Sequence, residues 1–278
     1  MPNLQLVRKR DMSSFRMIAL GTWKTAKDPS VYGSMHVPMD EALKYLAAFR
    51  EKTGRRLTVS HMVAKVMGAV LDSMPDANAI LRFNRIYLRK DVAVFFQVVM
   101  KDPESGQIDL SGLTLRDPQD KTLLSIIDEF EVLADKVRRG KDKDKEQTRK
   151  TFKRLPGFIV GPVLDLISLL SYSLNLDLSW AGIPKDVFGS VMVTNVGSLG
   201  LQTAYVPLVP YSKVPLLIAM GAIERVPIVL DNGEVGVGQV MGLHATFDHR
   251  LLDGAHAAKM ASVVQAHFTD PWTHFDPL

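Results

Sequence analysis

The chain has 278 residues, 46% of them hydrophobic and 23% charged, with a formal net charge of +4. That is enough for one large or two small domains with a sizeable core. Cysteine is absent, which excludes disulfides, cysteine nucleophiles and zinc–thiolate centres, and the mild positive charge gives no ground for nucleic-acid binding.

Met1 to Arg10 is polar and basic with no apolar run behind it. A secretory signal is therefore not expected, and a cytoplasmic location is. Leu4 to Val7 reads as a short strand, and Asp11 to Ser14 offer helix caps before Phe15 to Ala19. Val31 to Met39 alternates as a strand does. Asp40 is expected to cap an amphipathic helix from Glu41 to Lys52, and Thr58 leads into a core helix from Ser60 to Ser73. Ile86 to Leu88 and Val92 to Met100 read as strands joined by the tight polar Arg89-Lys90-Asp91, the second an interior strand because it is almost wholly apolar. Ile108 to Leu115 is a further strand, and Lys121 to Val137 a helix with one apolar face.

Residues 136–154 then carry ten Lys or Arg against three acids, and an apolar stretch from Leu155 to Leu176 follows. That stretch approaches the ~20 residues of a membrane span. Pro156, Gly157, Gly161, Pro162 and Asp165 within it argue instead for an amphipathic surface segment or an oligomer contact. Phe188 to Thr194 is a strand, and Asn195 to Gly200 a glycine-rich turn. Val214 to Ile223 and Ile228 to Leu230 are two strands. Asp231-Asn232-Gly233 turns into a long strand, Val235 to Thr246, and a helix from Ala255 to Thr269 closes the pattern. Long helices alternating with hairpin-connected strands specify a two-layer α/β domain on a mixed sheet. The expected organisation is a single domain over residues 1–278 with an atypical insert at about 136–185.

Few residues are placed to do chemistry. His36, His61, His244, His256, His267 and His274 lack partner spacing, and no His-Glu-x-x-His pattern exists, so no metal site is expected. Gly236 to Gly242 lies within a strand and is not a dinucleotide loop. No serine sits in a Gly-x-Ser-x-Gly elbow. His249 differs: it follows a long strand and is flanked by Asp248, Arg250 and Asp253. Its ring can act as a base near neutral pH. The residues alone leave a second reading open, a salt-bridged corner with Asp253 as helix N-cap.

Thr246-Phe247-Asp248-His249-Arg250-Leu251-Leu252-Asp253-Gly254-Ala255 resembles the Asp-His-Arg-x-x-Asp-Gly-Ala segment of the dihydrolipoamide acyltransferase component of 2-oxo acid dehydrogenase complexes. Chloramphenicol acetyltransferase shares its His-x-x-x-Asp-Gly core. Val191 to Gly197, about fifty residues upstream, looks like that family's Phe-Thr-Ile-Ser-Asn-Leu-Gly. Ser13 to Ala19 resembles its Gly-Met-Arg-x-x-Ile-Ala segment, and Tyr205 to Gly221 and Leu57 to Ala79 follow in register. The resemblance implies a chloramphenicol acetyltransferase-like fold and a CoA-dependent acyltransferase. It implies His249 as general base, Thr194 at the oxyanion-donor position that the family fills with serine, and Asp253 paired with Arg16 to fix the loop. Asn195 would shape the turn beside the donor, and Gly254 would support the loop. It further implies a homotrimer with the site shared between subunits, acyl-CoA as substrate and no metal.

Two departures qualify that picture. The sequence shows no lipoyl-attachment Asp-Lys-Ala and no subunit-binding segment, so a lipoyl group would arrive in trans, on a separate lipoyl-bearing or carrier protein; a small hydroxyl or amine acceptor is the other option. The basic and apolar insert is longer than the family's short linker. It raises an alternative reading, a catalytically weak or inactive oligomeric scaffold that assembles, or docks at a membrane surface, through the insert.

Overall fold

A computed structural model describes residues 2–10, 13, 28–101, 108–138, 156–230 and 232–278. Its strands are β1 (Leu6–Arg8), β2 (Ser30–Pro38), β3 (Ala79–Arg82), β4 (Arg85–Arg89), β5 (Ala93–Lys101), β6 (Ile108–Arg116), β7 (Val191–Asn195), β8 (Leu216–Val229) and β9 (Val235–Asp248). The helices are α1 (Asp40–Thr53), α2 (Val59–Ser73), α3 (Leu123–Arg138), α4 (Gly157–Ser168), α5 (Gly254–Thr269) and the single turn α6 (Pro271–His274).

Six strands form the main sheet in the order β2-β9-β8-β7-β5-β6. The pairs β8–β7 and β7–β5 are parallel and the other three antiparallel, so the expected two-layer α/β architecture with a mixed sheet is what forms. One face carries α2, α3 and α5, whose apolar stripes meet the inward residues of β5, β8 and β9 in a single large core. Val63, Val66, Val70 and Leu71 of α2 are almost fully buried there, as the 3.6-residue period requires. A smaller cluster of Phe95, Met192, Val214 and Leu217 lies on the opposite face, beneath the extended chain that includes Val206 and Leu208.

A separate three-stranded sheet, β1-β4-β3, corrects the expected hairpin of Ile86–Leu88 with Val92–Met100. β4 instead pairs with β3 through Phe83 and Asn84, whose φ of 47° and 57° lie in the left-handed region. Arg89, read as a turn residue, is buried because its guanidinium donates to both oxygens of Asp186, at 2.8 and 3.0 Å.

Two further expectations change. Ile228–Leu230 is not a separate strand: β8 runs unbroken through Pro227, with an irregularity between Met220 and Ile223. The β7–β8 pairing ends at Met220, so Pro227 lies beyond that ladder, where the missing N–H interrupts no bond to β7. Asp40 does not cap α1. It is the first helical residue, and its carboxylate accepts the Gln239 backbone N–H of β9 at 3.1 Å.

The apolar stretch folds as α4 continued by a π-type turn over Leu169–Ser173. No helix among the described residues is long and apolar enough to cross a membrane. The helix expected at Phe15–Ala19 and the basic residues 139–155 lie outside the described residues.

Candidate active site

β9 delivers its last residue, Asp248, into a corner that backbone bonds hold on both sides. Asp248 N–H donates to Pro215 O at 2.9 Å, and His249 N–H to Pro29 O at 2.8 Å. Asp248 O accepts from the N–H of both Leu251 and Leu252, closing a turn. The two leucines are 2% and 0% exposed, so their side chains pin the turn to the core. Arg250 clamps Asp248 with two arms, Nε to Oδ1 at 2.9 Å and an NH2 group to Oδ2 at 2.7 Å. The loop carrying His249 is thus fixed before any substrate arrives.

A backbone carbonyl orients the imidazole itself. Nδ1 lies 2.8 Å from Leu252 O, and a carbonyl can only accept. Nδ1 therefore carries the proton in the neutral ring, and Nε2 is left with a lone pair. That is the tautomer a general base needs.

Asp253 is the N-cap of α5, accepting from Ala255 N–H at 3.1 Å and His256 N–H at 3.2 Å. His256 Nδ1 also donates to its Oδ1 at 2.6 Å. Asp253 therefore fixes the start of α5 directly after the loop that carries His249. Its expected partner Arg16 lies outside the described residues. Gly254 has open space where a Cβ would sit, so nothing among the described residues demands glycine there.

Thr194 occupies the penultimate position of β7. Its hydroxyl, half-buried, has no hydrogen-bond partner among the described residues. The next residues fix the turn: Asn195 Oδ1 accepts Ser198 N–H at 3.0 Å and Asn195 O accepts Ser198 Oγ at 2.7 Å. A Cβ on Gly197 would stand 2.4 Å from Gly221 O, which explains why the motif ends in glycine.

Register places these residues relative to one another. Thr194 pairs with Ala219, Ala219 with His244, and His244 with Ser34, so all four side chains share one face of the sheet. Within this row lies a polar chain that sequence spacing did not reveal. Ser34 Oγ bonds His244 Nδ1 at 3.1 Å and also Tyr205 OH, while His244 Nε2 contacts Gln202 O at 3.0 Å. Ser34 and His244 are 210 residues apart in the chain, and only the strand pairing unites them. His249 lies five residues beyond His244, which is ~17 Å of strand at ~3.3 Å per residue, and two strand spacings of ~4.8 Å separate β7 from β9. His249 and Thr194 of one chain are thus roughly 19 Å apart, at opposite ends of the strands. They do not share one site within a single chain.

Charges gather at the His249 end. Burial holds the Lys213 ammonium below the usual lysine range, an effect that Arg250 reinforces and that Asp165 and Asp248 oppose. A cavity of about 240 Å³ lies behind the loop, between α2, α5 and the sheet, lined by residues including Met67, Ile218, Leu243, Phe247 and Met260. Its walls are apolar core, and neither His249 nor Thr194 contributes to them.

A family model described as 2-oxoacid dehydrogenases acyltransferase (catalytic domain) matches residues 7–153 and 184–275. The lipoamide acyltransferase component of the branched-chain alpha-keto acid dehydrogenase complex of Bacillus subtilis is 23% identical over 230 residues, 81% of this chain and 43% of that protein. The dihydrolipoyllysine-residue acetyltransferase component of the pyruvate dehydrogenase complex of the same organism is 35% identical over 89 residues, 32% of this chain and 20% of that protein. The chain therefore spans less than half the length of these curated relatives. Among solved structures, a probable dihydrolipoamide acetyltransferase from Listeria monocytogenes superposes with a TM-score of 0.63 at 16% identity, covering 95% of each chain. A dihydrolipoamide acetyltransferase from Azotobacter vinelandii, studied for the catalytic role of a serine, a histidine and an asparagine, gives 0.65 at 20% identity, with 96% and 93% covered. Chloramphenicol acetyltransferase gives 0.50 at 13% identity, with 95% and 100% covered. These superpositions establish the chloramphenicol acetyltransferase-like fold. The family match extends over far more than half of the sequence, and the chain belongs to the 2-oxoacid dehydrogenase acyltransferase catalytic-domain family.

Proposed function

We propose that the chain transfers acyl groups between coenzyme A and a second thiol, with His249 as general base and Thr194 as oxyanion donor. The observation that carries the reading is the 2.8 Å contact from His249 Nδ1 to Leu252 O, which leaves Nε2 as the acceptor. The names of the curated relatives, lipoamide and dihydrolipoyllysine-residue acyltransferases, favour a lipoyl-type thiol as acceptor.

In the proposed reaction, Nε2 takes the proton of the acceptor thiol as its sulfur attacks the thioester carbonyl carbon. The carbonyl oxygen becomes an oxyanion, and Thr194 Oγ1 donates a hydrogen bond to it. Collapse of the tetrahedral intermediate breaks the bond to the CoA sulfur, and the leaving thiolate recovers the proton from Nε2. A positioned base supplies ~10²–10⁴-fold of the rate, and a preorganised donor ~10²–10³-fold.

The separation of roughly 19 Å inferred from the strand spacings requires that the two groups come from different subunits. We therefore propose a cyclic homotrimer in which His249 of one copy meets Thr194 of the next. The exposed Val229, Val235 and Val237 on the β8–β9 ribbon, 76%, 75% and 64% accessible, favour association of this kind.

The test is thiol release from short-chain acyl-CoA with dihydrolipoamide as acceptor. Turnover is expected, and His249→Ala should reduce it by ~10²-fold or more. No turnover with any short acyl-CoA, or turnover unaffected by His249→Ala, refutes the assignment.

A further inference from the structure

We propose that Tyr205 anchors the amide N–H of a lipoyl-type arm, and that the buried His244 sets the polarity of that anchor. The choice of arm rests on the acyl-transfer reading above; the direction of the hydrogen bonds follows from the fold alone. His244 is 4% exposed, and its Nε2 lies 3.0 Å from Gln202 O. A carbonyl can only accept, so Nε2 carries the proton and Nδ1 of the neutral ring is an acceptor. Ser34 Oγ, 3.1 Å from Nδ1, therefore donates its single proton to the ring. The bond between Ser34 and Tyr205 then has one available donor, the phenol. With that proton committed to Ser34, the Tyr205 oxygen offers lone pairs and no hydrogen. No further partner of that oxygen is found among the described residues. Tyr205 is 51% exposed, so its lone pairs are open to a donor from outside.

The backbone is shaped to hold this chain of groups. The segment after Gly200 crosses the sheet face over β8 and β9, and a glycine stands at each crossing. A Cβ on Gly221 would lie 2.1 Å from Gln202 O, and a Cβ on Gly242 would lie 2.7 Å from His244 Nε2 and 3.2 Å from Gln202 O. A side chain at either position would displace the carbonyl that fixes the ring. Leu201 O accepts Ala222 N–H at 2.9 Å, while Val206 and Leu208 pack on the cluster of Phe95, Met192, Val214 and Leu217. Tyr205 is thus the tip of a strap held on both sides.

Position and shape select the occupant. Thr194, Ala219, His244 and Ser34 form one row across the sheet, and three strand spacings put Ser34 roughly 14 Å from Thr194. Tyr32 shares the face of Ser34 on β2. It is 48% exposed and stands edge-on to Tyr205, with ring centroids 5.8 Å apart. An aromatic wall with an acceptor at its rim suits an apolar arm that ends in a neutral N–H. Both thiols of the proposed reaction hang on arms that contain amides. The lipoyl arm is the better match to the separation from Thr194, because its amide lies a full methylene chain beyond the sulfur. The first amide of coenzyme A follows its sulfur closely.

The experiment is ligand-observed NMR titration of the full chain with dihydrolipoamide, with methyl dihydrolipoate, in which an ester oxygen replaces the amide nitrogen, and with coenzyme A. Dihydrolipoamide should bind ~3–10-fold more tightly than the ester, the worth of one hydrogen bond. Tyr205→Phe keeps the ring against Tyr32 and should abolish that preference while leaving the affinity for coenzyme A unchanged. Ser34→Ala frees the phenol proton, so Tyr205 can donate to the ester and the preference should narrow. A merely structural role for the three residues predicts equal losses for amide and ester instead, and that result overturns the proposal. So does an amide preference that survives Tyr205→Phe, or its absence from the parent chain. A loss confined to coenzyme A overturns the lipoyl assignment and gives the anchor to the other arm. Affinity is read without turnover, so a chain that binds the amide through Tyr205 yet transfers no acyl group would refute the proposed function and not the anchor.

Discussion

His249 Nδ1 lies 2.8 Å from the carbonyl oxygen of Leu252, a residue that is itself fully buried. The core thus sets the tautomer of the imidazole, since the carbonyl cannot move without displacing the leucine. His249→Gln keeps polarity at the corner but supplies no base. Its kcat should fall by ~10²–10⁴-fold with KM for acyl-CoA little changed. Stability should fall by only about 1 kcal/mol, the worth of one hydrogen bond. Steady-state kinetics and urea denaturation measure the two effects. A large rise in KM with kcat intact would assign His249 to binding.

The opposite placement of Thr194 and His249 along the sheet makes a second prediction. Thr194→Ser keeps the donor and should remain active, while Thr194→Val should lose ~10²–10³-fold. Chains carrying His249→Gln or Thr194→Val alone should each be nearly inactive. Co-expressed, they should form mixed trimers in which about one quarter of the sites combine an intact histidine with an intact threonine, because a cyclic interface joins unlike surfaces. Activity restored towards that fraction supports the shared site, and mixed trimers as inactive as the parents would sink it.

What the sequence displayed and what it concealed divide along one physical line. The His249 corner and the Thr194 turn were legible because a strand, a cap and a glycine announce themselves within a few residues. Gly197 is needed where its Cβ would strike Gly221 O at 2.4 Å, and the motif shows it. The polar chain of Ser34, Tyr205 and His244 was not legible, since its members meet only through strand register. The β3–β4 hairpin was missed because Phe83 and Asn84 turn with positive φ without the glycine that usually marks such a bend. Arg89 looked like an exposed turn residue because its partner Asp186 stands 97 residues away. Val214–Ile223 and Ile228–Leu230 read as two strands, whereas β8 runs through Pro227, beyond its pairing with β7. For the polar chain and for Arg89, a distant contact outweighed local propensity.

The Arg89–Asp186 pair ties the small sheet to the segment that leads into β7, the strand that carries Thr194. The side chains are 4% and 7% exposed, and removing one partner of such a pair leaves an uncompensated buried charge. Arg89→Ala and Asp186→Ala should each lower stability by ~3–5 kcal/mol. Arg89→Met with Asp186→Leu should recover much of that loss, because two apolar groups need no counter-charge. Chemical denaturation of the four proteins decides it. A double variant as unstable as the singles would show that the pair does more than cancel its own burial cost.

His61 makes stability depend on pH. The ring is 5% exposed and packs edge-on against Phe130, while its Nδ1 accepts the Thr58 N–H at 3.3 Å. Burial, reinforced by Arg50 and Arg56, lowers its pKa from 6.5 to about 4. Above pH 6.5 the ring is neutral in both folded and unfolded chains. As pH falls from 6.5 toward 4, the unfolded chain takes up the proton and the folded chain does not, so unfolding is favoured. The lost stability should reach about 2 kcal/mol at pH 5 and about 3 kcal/mol at pH 4. His61→Gln cannot take up that proton. It should be less stable than the parent at pH 7.5 because the helix cap is altered, yet lose much less on acidification. Urea denaturation of both proteins at pH 7.5 and pH 5 measures the two slopes, and equal slopes would show that the imidazole titrates in the folded chain as freely as in the unfolded one.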